Sequence, residues 1–312
     1  MKRAFIFPGQ GSQIIGMGKD FYDAEPEAKK VFDIVDEALG SKLTDVIFNG
    51  APEELALTTN TQPALMATSI AMLRVLLQKS DKKIGELCDV VAGHSLGEYS
   101  ALCAANSLSL FDAAKLLQIR SSSMQSASPA GEGAMAACLG ISAGLLEQMI
   151  NDLAPEGVCQ ITNDNVDGQI VISGHGYNVE RIVAALKDTG HKAVMLNVSG
   201  PYHSALIKPA EVPMQEALEK TNFATPEVPL IANVSANLVQ DPDQIKTNLL
   251  RQICNTVRWR ETMDKLAEMG VSELVEIGSG RVLAGLAKKS PHNFTVRNIS
   301  SLAEMDEFLS EI

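Results

Sequence analysis

Ser95 lies between two glycines in Gly93-His94-Ser95-Leu96-Gly97-Glu98, a G-x-S-x-G pattern. Apolar Val90-Val91-Ala92 precedes it, and a helix-compatible stretch, Leu96–Ala105, follows. Strand, sharp turn and helix in that order make a nucleophile elbow, where the serine sits in strained backbone with its hydroxyl in the open. Side chains at the flanking glycine positions would clash in such a corner, hence the two glycines. The helix starting behind Ser95 aims free backbone N–H groups at whatever binds there, which favours an oxyanion. The expected chemistry is covalent catalysis by a serine.

A serine nucleophile needs a base, because its free hydroxyl is almost un-ionised at neutral pH. His94 adjoins Ser95, but its side chain diverges at the turn. His175, His191 and His292 read as exposed turn or loop residues. His203, in Ser199-Gly200-Pro201-Tyr202-His203-Ser204, stands where the pattern of residues 133–198 gives way to that of the rest of the chain. Clefts concentrate at such junctions, so His203 is the expected base. Asp112, Asp164 and Asp167 lie between serine and histidine, but none has a diagnostic context. A backbone carbonyl can also accept the second imidazole N–H, and the orienting group is left open.

Two further features bear on the site. Phe7-Pro8-Gly9-Gln10-Gly11-Ser12-Gln13 follows the first strand but lacks G-x-G-x-x-G and the G-K-[ST] ending, so it is not read as a phosphate loop. It reads as a tight loop offering a second oxyanion N–H. Arg120 has no carboxylate three or four residues away, where Leu116, Leu117, Ser123 and Met124 stand. Lone helical arginines usually face solvent, but this one is suited to clamp a substrate carboxylate bidentately.

The elements that must position these residues alternate between strand and helix. Ala4–Phe7 reads as a strand. Thr58-Thr59-Asn60-Thr61 reads as a turn before an apolar helix over Pro63–Gln78, and Leu110–Gln125 as a further helix. Ala134–Leu139, Ser142–Leu153 with Ser142 as N-cap, Val158–Thr162, Gln169–Ser173, Asn178–Asp188 and Ala193–Val198 follow in the order β-α-β-β-α-β, that of a ferredoxin-like unit. Alternation then resumes with strands Leu230–Val234, Glu273–Ile277 and Thr295–Ile299. Helices are expected at Asp243–Cys254, Arg260–Met269 and Val282–Lys289. The expected fold is α/β: a large α/β-hydrolase-like core with a mostly parallel sheet, over 1–126 and 199–312, plus an inserted ferredoxin-like α+β subdomain over 127–198.

The chain has 312 residues, enough for a sizeable core. A formal charge of −12 argues against nucleic acid as a general partner. The five cysteines show no C-x-x-C and no metal-like spacing with histidine. Cys88, Cys103 and Cys138 read as buried thiols of a reducing compartment. The apolar run Ala4–Phe7 is too short for a signal peptide, and no stretch approaches a membrane span. A cytoplasmic protein is expected, acting as a monomer without membrane attachment.

The motifs as a set, with Thr61-Gln62-Pro63-Ala64, Gly168-Gln169 and Glu276-Ile277-Gly278-Ser279-Gly280, resemble those of the malonyl-CoA:acyl carrier protein transacylases of fatty acid synthesis. The resemblance runs from Phe5 to about Lys289. It implies ping-pong transfer of malonyl from malonyl-CoA, through an ester on Ser95, to the phosphopantetheine thiol of holo acyl carrier protein. His203 would be the base, held by the main-chain carbonyl of Gln252, and the N–H groups of Gln10 and Leu96 the oxyanion hole. Arg120 would pair with the malonyl carboxylate, with Gln62, Asn163 and Asn165 also in the substrate site. No cofactor and no metal are implied, since the coenzyme A thioester is a substrate. A carrier protein is acidic, so docking calls for a local basic patch, with Lys187, Lys192, Lys208, Arg281, Lys288 and Lys289 as candidates. An esterase or thioesterase sharing the elbow, or a catalytically silent module, would leave Arg120 or the intact serine and histidine without purpose.

Overall fold

The computed structural model describes residues 1–129 and 131–312. Ten strands occur among them: β1 (Lys2–Phe7), β2 (Val90–Gly93), β3 (Gly133–Leu139), β4 (Cys159–Val166), β5 (Gln169–His175), β6 (Lys192–Met195), β7 (Leu230–Ile231), β8 (Leu238–Val239), β9 (Val271–Ile277) and β10 (Thr295–Ile299). Six form one sheet in the order β10-β9-β1-β2-β7-β8, parallel except for the β7–β8 pair. β1 shows why both faces of that sheet are covered. Its Phe5 and Phe7 join the larger apolar cluster on one face, while Ala4 and Ile6 join Trp259, Met263 and Leu274 on the other. Strands buried on two sides read as continuous apolar runs, as this one does.

The other four strands make an antiparallel sheet in the order β4-β5-β3-β6, with helices Ala143–Leu153 and Gly176–Asp188 between them in the chain. This is the expected β-α-β-β-α-β arrangement, and Ser142 does cap its helix by accepting from the Leu145 N–H. Alternation along β3 turns Ala136 and Cys138 toward the two helices, while Met135 packs against the larger cluster. The small sheet therefore presents one face to its own helices and the other to the large lobe.

Several boundaries differ from expectation. Thr58–Thr61 is the first turn of a helix running Thr58–Ser80, with Pro63 inside it. Pro63 is the sixth residue of that helix, past its first turn, so it removes one helical hydrogen bond without ending the helix. β4 continues through Asn163-Asp164-Asn165 to Val166, although these residues have low strand propensity. Tertiary pairing holds them: Val257 N–H donates to the Thr162 carbonyl at 2.9 Å and Asp164 N–H to the Val257 carbonyl at 3.0 Å. Arg260 clamps the Asp164 carboxylate at 2.7 and 3.0 Å. β6 ends at Met195, and Asp243–Cys254 is a helix over Pro242–Gln252. Among the described residues no helix is long and apolar enough to cross a membrane.

Candidate active site

Register places the elbow. Phe7 of β1 lies level with Gly93 of β2, so the loop leaving β1 and the turn leaving β2 emerge side by side at the carboxyl ends of the strands. Ligand sites of open α/β sheets form at such ends. Ser95 occupies the turn with a φ of 53°, a left-handed conformation that costs an L-residue free energy and is held here by its surroundings. A Cβ on Gly93 would lie 1.8 Å from the Gly97 carbonyl oxygen, and one on Gly97 2.3 Å from the Phe7 carbonyl oxygen. Both glycines are therefore steric requirements of the elbow. Gly93→Ala is expected to destabilise the fold by ~3 kcal/mol or more, the upper range for forced overpacking. A denaturant midpoint equal to that of the unsubstituted protein would refute this account.

Two side chains converge on the serine oxygen. Ser95 Oγ lies 2.8 Å from His203 Nε2 and 3.0 Å from Arg120 Nη2. His203 Nδ1 is 2.7 Å from the main-chain carbonyl of Gln252. A carbonyl only accepts, so Nδ1 carries the hydrogen and Nε2 presents its lone pair to the serine hydroxyl. Burial and the neighbouring Arg120 charge push the His203 pKa down to about 3, which keeps the ring neutral. His203, like Ser95, has a positive φ, 59°, and its place beside the buried Tyr202 fixes the ring at the cleft. Tyr202 in turn is anchored through its hydroxyl to Thr58 at 2.8 Å and Ser199 at 2.6 Å.

Arg120 is 1 % exposed, against the usual placement of a lone helical arginine. Nη1 donates to the Gln62 side-chain oxygen at 2.7 Å, and Nη2 to Gln252 Oε1 at 2.8 Å. Its Nε–H is buried and has no acceptor among the described residues. A buried guanidinium with an unused donor beside a nucleophile is suited to an anionic ligand.

Residues that spacing could not reveal complete the frame. Asn233 accepts the Ser95 N–H at 2.7 Å and donates to the Gly93 carbonyl at 2.7 Å, tying both sides of the turn. Glu98, 1 % exposed, accepts from Gln252 Nε2 at 2.6 Å and from the Asn233 N–H at 3.2 Å. Its signal was its place one residue after the elbow glycine, but the partners lie more than a hundred residues away. With the Ser95 N–H committed to Asn233, the N–H groups of Gln10 and Leu96 remain without a protein acceptor among the described residues. Both residues line the same cleft.

The cleft, about 180 Å³, is lined by Ser95, His203, Arg120 and Gln62, by Asn163 and Asn165 of β4, and by apolar Met135, Val171 and Leu286. Asn165 also accepts from His94 Nε2 at 2.8 Å, so His94 ties the elbow to the small lobe and points away from the serine hydroxyl. The edge of Trp259 packs on the same ring. His175, His191 and His292 lie outside the cleft and are half-buried, not exposed as expected. His175 Nδ1 accepts the Val158 N–H at 2.8 Å, His191 meets the Thr189 hydroxyl at 3.2 Å, and His292 pairs with Asp264 at 2.7 Å. The Asp112 carboxylate accepts from Ser109 Oγ, the N-cap of its helix, Asp164 pairs with Arg260 and Asp167 is exposed, so none orients His203.

A family model described as an acyl transferase domain matches residues 4–303. The malonyl CoA-acyl carrier protein transacylase of Bacillus subtilis is 48 % identical over 290 residues, 92 % of this chain and 90 % of that protein. That of Escherichia coli K12 is 40 % identical over 303 residues, covering 97 % of each. Among solved structures, an acyl-carrier-protein-S-malonyltransferase from Bartonella henselae superposes with a TM-score of 0.97 at 47 % identity, over 100 % of this chain and 99 % of that one. A type II PKS acyl-carrier protein in complex with its malonyl-transacylase gives 0.96 at 37 % identity, over all of both chains.

Proposed function

The chain belongs to the acyl transferase family, among its malonyl CoA-acyl carrier protein transacylases, and from that premise we propose that Ser95, His203 and Arg120 carry malonyl from malonyl-CoA to the thiol of an acyl carrier protein for fatty acid synthesis. The observation that carries this reading is the convergence of a base and a guanidinium on Ser95 Oγ, at 2.8 and 3.0 Å.

Ser95 Oγ attacks the thioester carbonyl carbon while its proton passes to His203 Nε2. The carbonyl oxygen takes on negative charge opposite the N–H groups of Gln10 and Leu96, whose fixed dipoles stabilise it without reorganisation. Collapse breaks the carbon–sulfur bond, and the departing coenzyme A thiolate takes the proton back from Nε2. The second half runs in reverse: His203 accepts the proton of the phosphopantetheine thiol, the thiolate attacks the ester, and Ser95 Oγ leaves and regains its proton. Arg120 holds the malonyl carboxylate throughout. Acylation turns Oγ into an ester oxygen, a weaker acceptor than the free hydroxyl. This releases the Nη2–H that had pointed at it, beside the unused Nε–H, and two adjacent donors then match a carboxylate.

Gln62 fixes the guanidinium, while Asn163 and Asn165 bring small-lobe amides to the cleft wall. The six basic residues named for carrier docking are all exposed. Arg281 is paired with Glu304, and Lys289 donates to Gln169 at 3.0 Å, so Lys187, Lys192, Lys208 and Lys288 are the stronger candidates. The test is intact-mass measurement after incubation with malonyl-CoA, then with holo carrier protein. A malonyl adduct on Ser95 that discharges to the thiol is expected. Absence of an adduct, or its rapid loss to water without the carrier, would overturn the reading.

A further inference from the structure

Arg120 carries a buried positive charge, and no carboxylate among the described residues touches it. The nearest arrangement of compensation is indirect. Gln252 accepts from Arg120 Nη2 with its side-chain oxygen at 2.8 Å and donates with Nε2 to Glu98 at 2.6 Å. One neutral amide thus stands between a buried cation and a buried carboxylate, polarised in the same sense by both. Its main-chain carbonyl also holds His203. We infer that Glu98 is the resident counter-ion of Arg120, displaced electrically when malonyl binds, so that loading of the malonyl carboxylate is coupled to uptake of a proton by Glu98. The inference deepens the malonyl reading given above and rests on it.

The physics is a charge count in a dry site. In the free enzyme Glu98 and Arg120 balance each other, and the amides of Gln252 and Asn233 favour the ionised carboxylate. When a malonyl carboxylate pairs with Arg120, two anions share one cation, and desolvation makes the surplus charge expensive. Glu98 already sits near the balance point: burial raises its pKa to about 7 against the lowering by Gln252, Asn233 and Arg120. Offsetting the Arg120 contribution moves it higher still.

The groups that face Glu98 are few. Arg120 comes from helix Leu110–Ser126, Gln252 from helix Pro242–Gln252, and Asn233 from the segment after β7. Tyr99 on its own helix is held neutral by burial, which pushes its pKa to about 12. His203, beyond Arg120, is held down to about 3 by burial and the Arg120 charge, far below pH 7, and is neutral there. His94 is half-buried, and desolvation lowers its pKa. Glu98 is the group poised to take the proton. It is a positioning residue, since it reaches the substrate only through Gln252 and Arg120.

The sign follows from linkage. A group whose pKa rises on binding makes binding tightest below its free-state pKa and progressively weaker above it. The KM for malonyl-CoA is therefore expected to rise above pH 7, by up to about tenfold per pH unit for one coupled proton. The KM for acetyl-CoA, which lacks the carboxylate, is expected to show no such rise. Glu98→Gln keeps an acceptor for Gln252 Nε2 but cannot titrate, and its malonyl-CoA profile is expected to be flat. Independently of that variant, calorimetry of malonyl-CoA binding to Ser95→Ala protein at pH 8, in buffers of differing ionisation enthalpy, is expected to show a net proton taken up, with none for acetyl-CoA. Zero uptake with malonyl-CoA, or equal uptake with acetyl-CoA, overturns the coupling while leaving Ser95 esterification intact. Failure of the unsubstituted enzyme to form a malonyl ester overturns both.

Discussion

His203→Ala is expected to slow acylation of Ser95 by malonyl-CoA by ~10²–10⁴-fold, the range that a positioned general base supplies. The geometry leaves little choice of base: Nε2 is 2.8 Å from Ser95 Oγ, and Nδ1 is committed to a carbonyl that fixes the reactive tautomer. Among the described residues no carboxylate backs the imidazole, so the imidazolium formed during attack lacks the usual stabilising anion. A base held down to about 3 in the free enzyme is always unprotonated yet weakly driven. Two effects offset that weakness. The Arg120 guanidinium, 3.0 Å from Oγ, stabilises negative charge developing on the serine. In the proposed reading, a malonyl carboxylate arriving at Arg120 would also offset the field that suppresses the imidazole, so the substrate would raise the basicity of the group that activates its attacker.

The same values set the pH dependence on the acid side. The base must be neutral to act, and a depressed pKa keeps it neutral far below the ordinary histidine range. The kcat/KM for acyl-enzyme formation, which reports the free enzyme, is expected to show no acid limb near 6.5 between pH 5 and 7. Rapid-quench measurement of the Ser95 ester across that range decides it. A limb near 6.5, or a loss below tenfold in His203→Ala, would mean that another group removes the proton.

What the sequence could express about this site depended on whether the constraint was local. Ser95 was legible because its elbow is steric, and the glycines that permit it stand two residues either side. The small lobe was legible because the alternation of β3 and β5 and the amphipathic stripes of their helices are read over a few residues each. Arg120 was singled out by what its own helix lacked. Gln10 and Gln252 had no local mark as contributors of main-chain groups, and only the family resemblance pointed to them. Glu98 and Asn233 escaped notice because each matters through partners distant in the chain. Asn163 to Asn165 read as a loop because Asn and Asp disfavour strands, and the Val257 and Arg260 contacts that outweigh this lie about ninety residues on. Thr58 to Thr61 read as a turn because polar β-branched residues before a proline usually are one. In the fold Thr58 and Thr61 are instead fully buried, and Thr61 bonds the Leu55 carbonyl.

Arg120→Ala is expected to lower malonyl transfer about 10- to 100-fold more than acetyl transfer, the equivalent of the ~1.5–3 kcal/mol that a charge-assisted hydrogen-bonded pair contributes. The ratio is the informative quantity, because the guanidinium has several tasks. Its removal strands the side-chain oxygens of Gln62 and Gln252, which received its donors at 2.7 and 2.8 Å, and leaves Glu98 without its cation. Those losses fall on both substrates alike. The carboxylate pair falls on malonyl alone, since acetyl carries no charge there. For acetyl, loss of the Arg120 field also relieves His203, which partly offsets the general damage and widens the difference. Arg120→Lys separates charge from shape: an ammonium keeps the sign but not the planar fork, so it is expected to recover part of the malonyl rate and not all of it. Transfer rates of both acyl groups to holo carrier protein, measured for the three proteins side by side, test the clamp. Equal losses for malonyl and acetyl in Arg120→Ala would assign Arg120 to holding the serine and its frame, with selection of the dicarboxylic acyl group made elsewhere in the cleft.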